Sequence, residues 1–317
     1  MTGKEPQIIA PDTAGIAQAA DLLRAGHLVA IPTETVYGLA ARADSAEAVA
    51  RIYRAKGRPE FNPLIVHVAS SAMARELADF DERAELLAQR YWPGPLTLVL
   101  PARIGSPIAP AVTAGLPTIA LRQPAHRVAA AILQKVGLPL AAPSANRSYG
   151  VSPTRPDHVL SSFGEDAPPI LDGGASTAGL ESTIVALRED GGWSVLRPGP
   201  VMQEELEELL GPSEKLRGAT GDMIEAPGQM ERHYSPGKPL HCDMQVARAN
   251  SFMIGFGQIS GDISLSSQGD LAEAAARLYE CLHIAAAASK PEISVAPIPH
   301  VGMGRAINDR LARAAKG

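Results

Sequence analysis

The chain is a succession of short apolar runs, each stopped by a proline, a hydroxyl or a charge, and nothing else in it constrains the fold as much. Residues 28–31 (Leu-Val-Ala-Ile) lead into Pro32, Thr33, Glu34 and Thr35, and residues 64–66 (Leu-Ile-Val) lead into His67. Runs this short read as buried strands, with the polar residue marking the exit, and ligands of open α/β sheets sit beside such exits. Helical stretches lie between them. Residues 13–25 carry Ile16, Ala20 and Leu23 at helical spacing, with Gly26 placed to stop the helix. Ser45 predicts the cap of a helix running toward Ala55, and residues 81–91 predict another that Pro93 and Pro95 break. Strands are expected at 96–100, 118–121 and 140–142, and a helix at 126–136 closed by Gly137. Alternation of this kind predicts an α/β domain.

At 317 residues the chain exceeds one ordinary core. The alternation lapses near Gly211, where Pro212, Pro227, Gly228, Pro236, Gly237 and Pro239 crowd a segment of little apolar periodicity. Beyond it, residues 251–256 and 293–296 read as strands. Asp270 can cap a helix with Leu271, Ala275, Leu278 and Leu282 on one face, and 306–315 reads as another helix. The expected organisation is a domain at 1–211, a Pro/Gly-rich linker at 212–239, and a small α/β domain at 240–317. The net charge of −5 and the 4% aromatic content argue against a general nucleic-acid surface or a base-stacking platform. Cys242 and Cys281 stand alone without zinc-ligand spacing, and no apolar run reaches membrane length, so a cytoplasmic protein with reduced thiols is expected.

Four cations close or follow strands: Lys56 and Arg58 around Gly57, Arg122 after residues 118–121, and Arg197 after Leu196. Alone, each reads as a solvated turn or a surface ion-pair partner. Together they suggest one cleft for a polyanion such as a nucleoside triphosphate. His67 alone is more often a structural histidine, and Thr33, Glu34 and Thr35 read equally well as a strand-end turn. Ser144, Asn146 and Ser152 offer hydrogen bonds beside small residues, yet they form no nucleophile elbow. The pairs Gly255/Gly257 and Gly302/Gly304 are too short for a dinucleotide fingerprint and read as turns. No set of nucleophile, base and acid stands out, which suits chemistry run by positioning and charge neutralisation.

Ile31-Pro-Thr-Glu-Thr-Val-Tyr-Gly-Leu39, Lys56-Gly-Arg-Pro59 with Asn62-Pro-Leu-Ile-Val-His67, and Trp92-Pro-Gly-Pro-Leu-Thr97 resemble the YrdC-like superfamily. Ala142-Pro-Ser-Ala-Asn146, Gly179-Leu-Glu-Ser-Thr183 and Leu196-Arg-Pro-Gly199 follow in the same order. Ala226-Pro-Gly228, His233-Tyr234 and Gly304-Arg-Ala-Ile-Asn-Asp-Arg310 resemble the long, two-domain form of threonylcarbamoyl-AMP synthases. The resemblance implies a YrdC-like twisted open mixed sheet with flanking helices, plus a smaller Rossmann-like α/β domain. It implies condensation of L-threonine, bicarbonate or CO2, and ATP with Mg2+, giving threonylcarbamoyl-adenylate and pyrophosphate. The adenylate would pass to a separate tRNA threonylcarbamoyl transferase, and weak tRNA binding is compatible with the fold. By resemblance, Thr35, His67, Arg122, Ser144 and Ser182 would hold threonine. Arg58, Asn62, Thr118, Ala142, Ser152, Arg197 and Tyr234 would hold ATP. Lys56 and Arg58 would neutralise the departing pyrophosphate, with no protein-held metal. His233 and Tyr234 would let the linker serve as a lid. The competing readings are a double-stranded RNA or tRNA-binding module without chemistry, and a carbamoyl-transfer enzyme of hydrogenase maturation, which the scarcity of cysteine disfavours.

Overall fold

The structure, a computed structural model, describes residues 7–213, 225–227, 229 and 232–317. Gly228 and much of the expected linker lie outside the described residues. The first part of the chain runs β1 (Ile8–Ile9), α1 (Thr13–Arg24), β2 (Val29–Ile31), β3 (Gly38–Arg42), α2 (Ala46–Lys56), β4 (Ile65–His67) and α3 (Ser71–Leu77). It continues through α4 (Glu82–Tyr91), β5 (Leu96–Pro101), α5 (Pro110–Thr113), β6 (Thr118–Arg122), α6 (Arg127–Val136) and β7 (Leu140–Ala141). Then come α7 (Pro156–Phe163), β8 (Ile170–Leu171), β9 (Thr183–Leu187), β10 (Trp193–Arg197) and α8 (Gln203–Leu210). The last part holds β11 (Leu240–His241), β12 (Ser251–Gly255), β13 (Ile263–Ser264), α9 (Leu271–Ala287), β14 (Glu292–Val295) and α10 (Met303–Ala314).

The expected helix boundaries follow from capping chemistry. Asp12, Ser45, Asp81 and Asp270 each accept a backbone N–H of their helix's first turn. Gly57 and Gly137 end α2 and α6 in the left-handed conformation. The helices α3, α7 and α8 escape the sequence reading because they are short and weakly patterned. The strand β3 escapes it for another reason: Gly38, Ala40 and Ala41 have low β-propensity, and the strand is held by its place between β2 and β7.

Ten strands form one mixed sheet in the order β1-β8-β2-β3-β7-β4-β6-β5-β9-β10. One face is apolar throughout. Ala30, Leu39, Ala141, Val66, Leu121, Leu98 and Val185 lie in register along it and pack on residues of α2, α4 and α5. On the other face, Val29, Ile31, Ala40 and Leu140 on the β1–β7 side meet α1 and α6. Across β4, β6, β5 and β9 no helix of the first domain lies against that second face among the described residues; its small apolar patch of Ile65, Ala120, Val99 and Ile184 contacts Ala226 of the linker.

A second, parallel sheet in the order β11-β14-β12-β13 packs against α9 and α10. Its core also takes in Val36, Val151, Leu180 and Tyr234, so four residues from the first domain and the linker are buried in it. At about 1.5–3 kcal/mol for each large side chain, those anchors hold the two domains together. Gly179 makes the closest approach. Its φ is +67°, and a Cβ there would lie 2.3 Å from the Ala276 carbonyl of α9. Replacing Gly179 with alanine should therefore lower the thermal midpoint by about 5 °C or more, read by calorimetry; an unchanged midpoint would show that the domains are free to separate.

Candidate active site

Period-two alternation places the polar residues on the sheet's uncovered half-face. Ile65 and His67 on β4 point the same way as Thr118, Ala120 and Arg122 on β6, because Ile65 pairs with Ala120 and His67 with Arg122. Thr97 on β5 shares that face, and its Oγ1 lies 2.7 Å from Ser182 Oγ at the foot of β9. A register shift between Val195 and Arg197 turns Arg197 toward Ser182. The site thus lies on a sheet face close to strand ends: His67, Arg122 and Arg197 are the last residues of β4, β6 and β10, and Ser182 directly precedes β9.

A cleft of about 570 Å³, counting the open solvent at its mouth, occupies this face. Arg58, Arg122 and Arg197 all line it, with Thr35, His67, Ala142, Ser144 and Ser182, and Pro227, His233 and Tyr234 of the linker complete the wall. Each guanidinium is anchored by oxygen acceptors. Arg122 donates to Gly94 O and Thr35 Oγ1, and pairs with Glu34 at 2.7 Å. Arg197 donates to the carbonyl and hydroxyl of Ser182, and Arg58 to Asn62 Oδ1 and the carbonyls of Asn62 and Pro63. Burial pushes the Arg58 guanidinium down to about 10. Burial alone would raise the Glu34 carboxyl, but Arg122 beside it holds it below the usual range.

Four expected site residues stand off the wall. Lys56 is not a free cation facing the ligand: its ammonium donates to the carbonyls of Ser144 (2.6 Å) and Asn146. A buried ammonium needs acceptors, and the loop that carries Ser144 supplies them. Ser152 donates to Glu181 Oε1 at 2.6 Å. Asn62 lies behind Arg58. Thr118 shares the face of Arg122 but lies about 13 Å along the strand. Among the described residues no cluster of His, Cys, Asp or Glu could hold a metal.

Glu34 and Glu181 were not expected as site residues. The first was read as part of a turn, and the second was unremarkable beside Ser182. An acid inside an otherwise apolar or hydroxyl-rich run was the available signal. Tyr234 adopts φ +63°, which sets its ring against Tyr279 and turns His233 into the wall. His67 Nδ1 and His233 Nδ1 are buried without a partner among the described residues.

Fold and site together define a two-domain α/β protein that binds an anion and a small polar group side by side. The family model Sua5/YciO/YrdC, described as telomere recombination, matches residues 21–199. A second, described as the C-terminal domain of threonylcarbamoyl-AMP synthase, matches 201–316. The chain belongs to the threonylcarbamoyl-AMP synthase family. It is 39% identical to the threonylcarbamoyl-AMP synthase of Bacillus subtilis strain 168, over 95% of this chain and 93% of that protein. The crystal structure of Pyrococcus abyssi Sua5 complexed with L-threonine superposes with a TM-score of 0.89 at 35% identity, covering 99% of this chain and 98% of that one. Escherichia coli YciO shares the fold of the first domain, with a TM-score of 0.53 at 22% identity over 62% of this chain and 96% of that one.

Burial lowers the pKa of both His67 and His233 to about 3. The unfolded chain takes up those protons below pH ~6.5 and the folded one does not, so stability falls as pH drops through that window. His67→Asn should remove up to about 1.4 kcal/mol of that loss per pH unit, measured as urea midpoints between pH 7 and 5; an unaltered slope would mean that His67 is protonated in the fold.

Proposed function

We propose that this chain is an L-threonylcarbamoyladenylate synthase. The observation that carries the reading is the meeting of Arg58, Arg122, Arg197 and His67, whose Nδ1 has no partner among the described residues, on one cavity. The threonine carboxylate pairs with Arg122, whose other N–H groups are already held by Gly94, Thr35 and Glu34. The threonine hydroxyl meets His67 Nδ1 or a nearby hydroxyl, Ser182 or Thr35. An unpaired polar group there disfavours valine. The triphosphate lies along Arg197 and Arg58 toward Asn62 and Thr118, and Lys56 fixes the Ser144 loop between the two substrates. Magnesium enters as MgATP, held by phosphates and water, since the wall's one carboxylate, Glu181, is already engaged.

The threonine amine loses a proton and combines with CO2, giving a carbamate. A carbamate oxygen attacks the α-phosphorus, the bond to the β-phosphate breaks, and pyrophosphate leaves with its charge matched by Arg58 and Arg197. The mixed anhydride is labile, so water must be kept out. The linker, with Pro227, His233 and Tyr234 on the wall, acts as the lid. The product then passes to a transferase acting on tRNA, in the cytoplasm, where ATP and tRNA are found.

Purified protein with ATP, Mg2+, L-threonine and labelled bicarbonate should release pyrophosphate only when threonine is present, and should yield a labelled adenylate. Threonine-independent pyrophosphate, or none, would end this reading. Arg122→Ala should raise the threonine dissociation constant about 10- to 100-fold, and Arg58→Ala should act mainly on ATP. His233→Ala should leave pyrophosphate release in place while more of the adenylate hydrolyses, which quenched time courses would resolve; equal retention would remove the lid.

A further inference from the structure

One buried charge cluster joins the two domains behind the cavity. Glu181 Oε1 accepts from Ser152 Oγ at 2.6 Å, and Oε2 accepts from Tyr279 Oη at 2.7 Å and from Arg310 Nε at 3.2 Å. Arg310, on α10, is fully buried and lies 5.6 Å from the centre of the Tyr234 ring. Its second partner, Asp309, is shared with Arg313 and reaches solvent. On the cavity side, Arg197 shares the wall with Glu181 and acts on the same carboxylate through its charge, but spends its own hydrogen bonds on Ser182. A single buried acid therefore stands between two guanidinium groups, one facing the ligand and one supplied by the second domain.

We propose that Arg310 is a positioning residue through which the second domain sets the charge of the nucleotide pocket. With Arg310 in place, Glu181 is matched from behind, and the group of Arg197, Glu181 and Arg310 carries one net positive charge toward the phosphates. Without Arg310, the only buried cation left for Glu181 is Arg197. That pair is neutral, Arg197 swings off Ser182 toward the acid, and the triphosphate faces Arg58 with little help. Threonine, held at Arg122, does not sense the change. The inference rests on the nucleotide reading above.

The test is calorimetric titration of the full chain with a non-hydrolysable MgATP analogue and, separately, with threonine. Wild-type protein that fails to bind the analogue would sink the nucleotide reading, not this one. Given wild-type binding, Arg310→Met should weaken the analogue about tenfold or more and leave threonine affinity within about twofold. Glu181→Gln should bind the analogue more tightly than wild type, because the pocket gains a positive charge. The double variant Glu181→Gln/Arg310→Met should recover most of the affinity lost in Arg310→Met. A purely structural role for Arg310 makes the double variant the weakest of the set, and that ranking would overturn the proposal. So would an Arg310→Met variant that binds the analogue like wild type. Lost threonine binding in an Arg310→Met variant that is folded by circular dichroism counts against the proposal; should that variant be unfolded by the same measure, Glu181→Gln alone decides, and analogue binding no tighter than wild type counts against the proposal.

Discussion

Removing several like charges from water at one place is the constraint on which this structure depends. Three guanidinium groups line one cavity and a buried ammonium stands behind it, where desolvation and mutual repulsion both oppose the charged forms. The fold answers mainly with backbone carbonyls. Gly94, Ser182, Asn62, Pro63, Ser144 and Asn146 each turn an oxygen onto a cation. Carbonyls fix direction without cancelling charge, so the cavity stays positive and ready for an anion. Among the described residues only Glu34 and Glu181 bring full negative charges to these cations, and Glu181 is held by Ser152 and Tyr279 as well.

That solution explains the architecture around it. Among the described residues, half of one sheet face has no helix against it, and linker residues Ala226, Pro227, His233 and Tyr234 meet it or wall its cavity instead. Burial of Val36, Val151, Leu180 and Tyr234 in the second core ties down the turns that carry Thr35, Ser152, Glu181 and Ser182. The second domain is thus part of the site's scaffold, even though its own residues stay off the cavity wall.

Much of this was legible in the sequence. Capping residues at Ser45 and Asp270 announced their helices, and the strand-flanking cations Arg58, Arg122 and Arg197 announced the cavity. The sequence could not show which way a side chain turns once strands assemble. Lys56 and Arg58 are two residues apart, yet one faces inward to the Ser144 loop and the other lines the wall. Nor does local pattern reveal partners 98 or 129 positions apart, such as Tyr279 and Arg310 on Glu181. Element boundaries pointed to strand ends, where His67, Arg122 and Arg197 do stand, but only pairing register decides which of those ends meet. His67 opposite Arg122 is a fact of register alone.

The left-handed backbone at Tyr234 has a consequence for evolution of the linker. A side chain other than glycine tolerates that conformation only where surrounding packing compensates, and here Tyr279, Arg310 and the neighbouring imidazole supply it. Glycine would relieve the backbone and lose the ring; a β-branched residue would lose both. Drift at this position is therefore confined from two directions at once, by torsion and by fit.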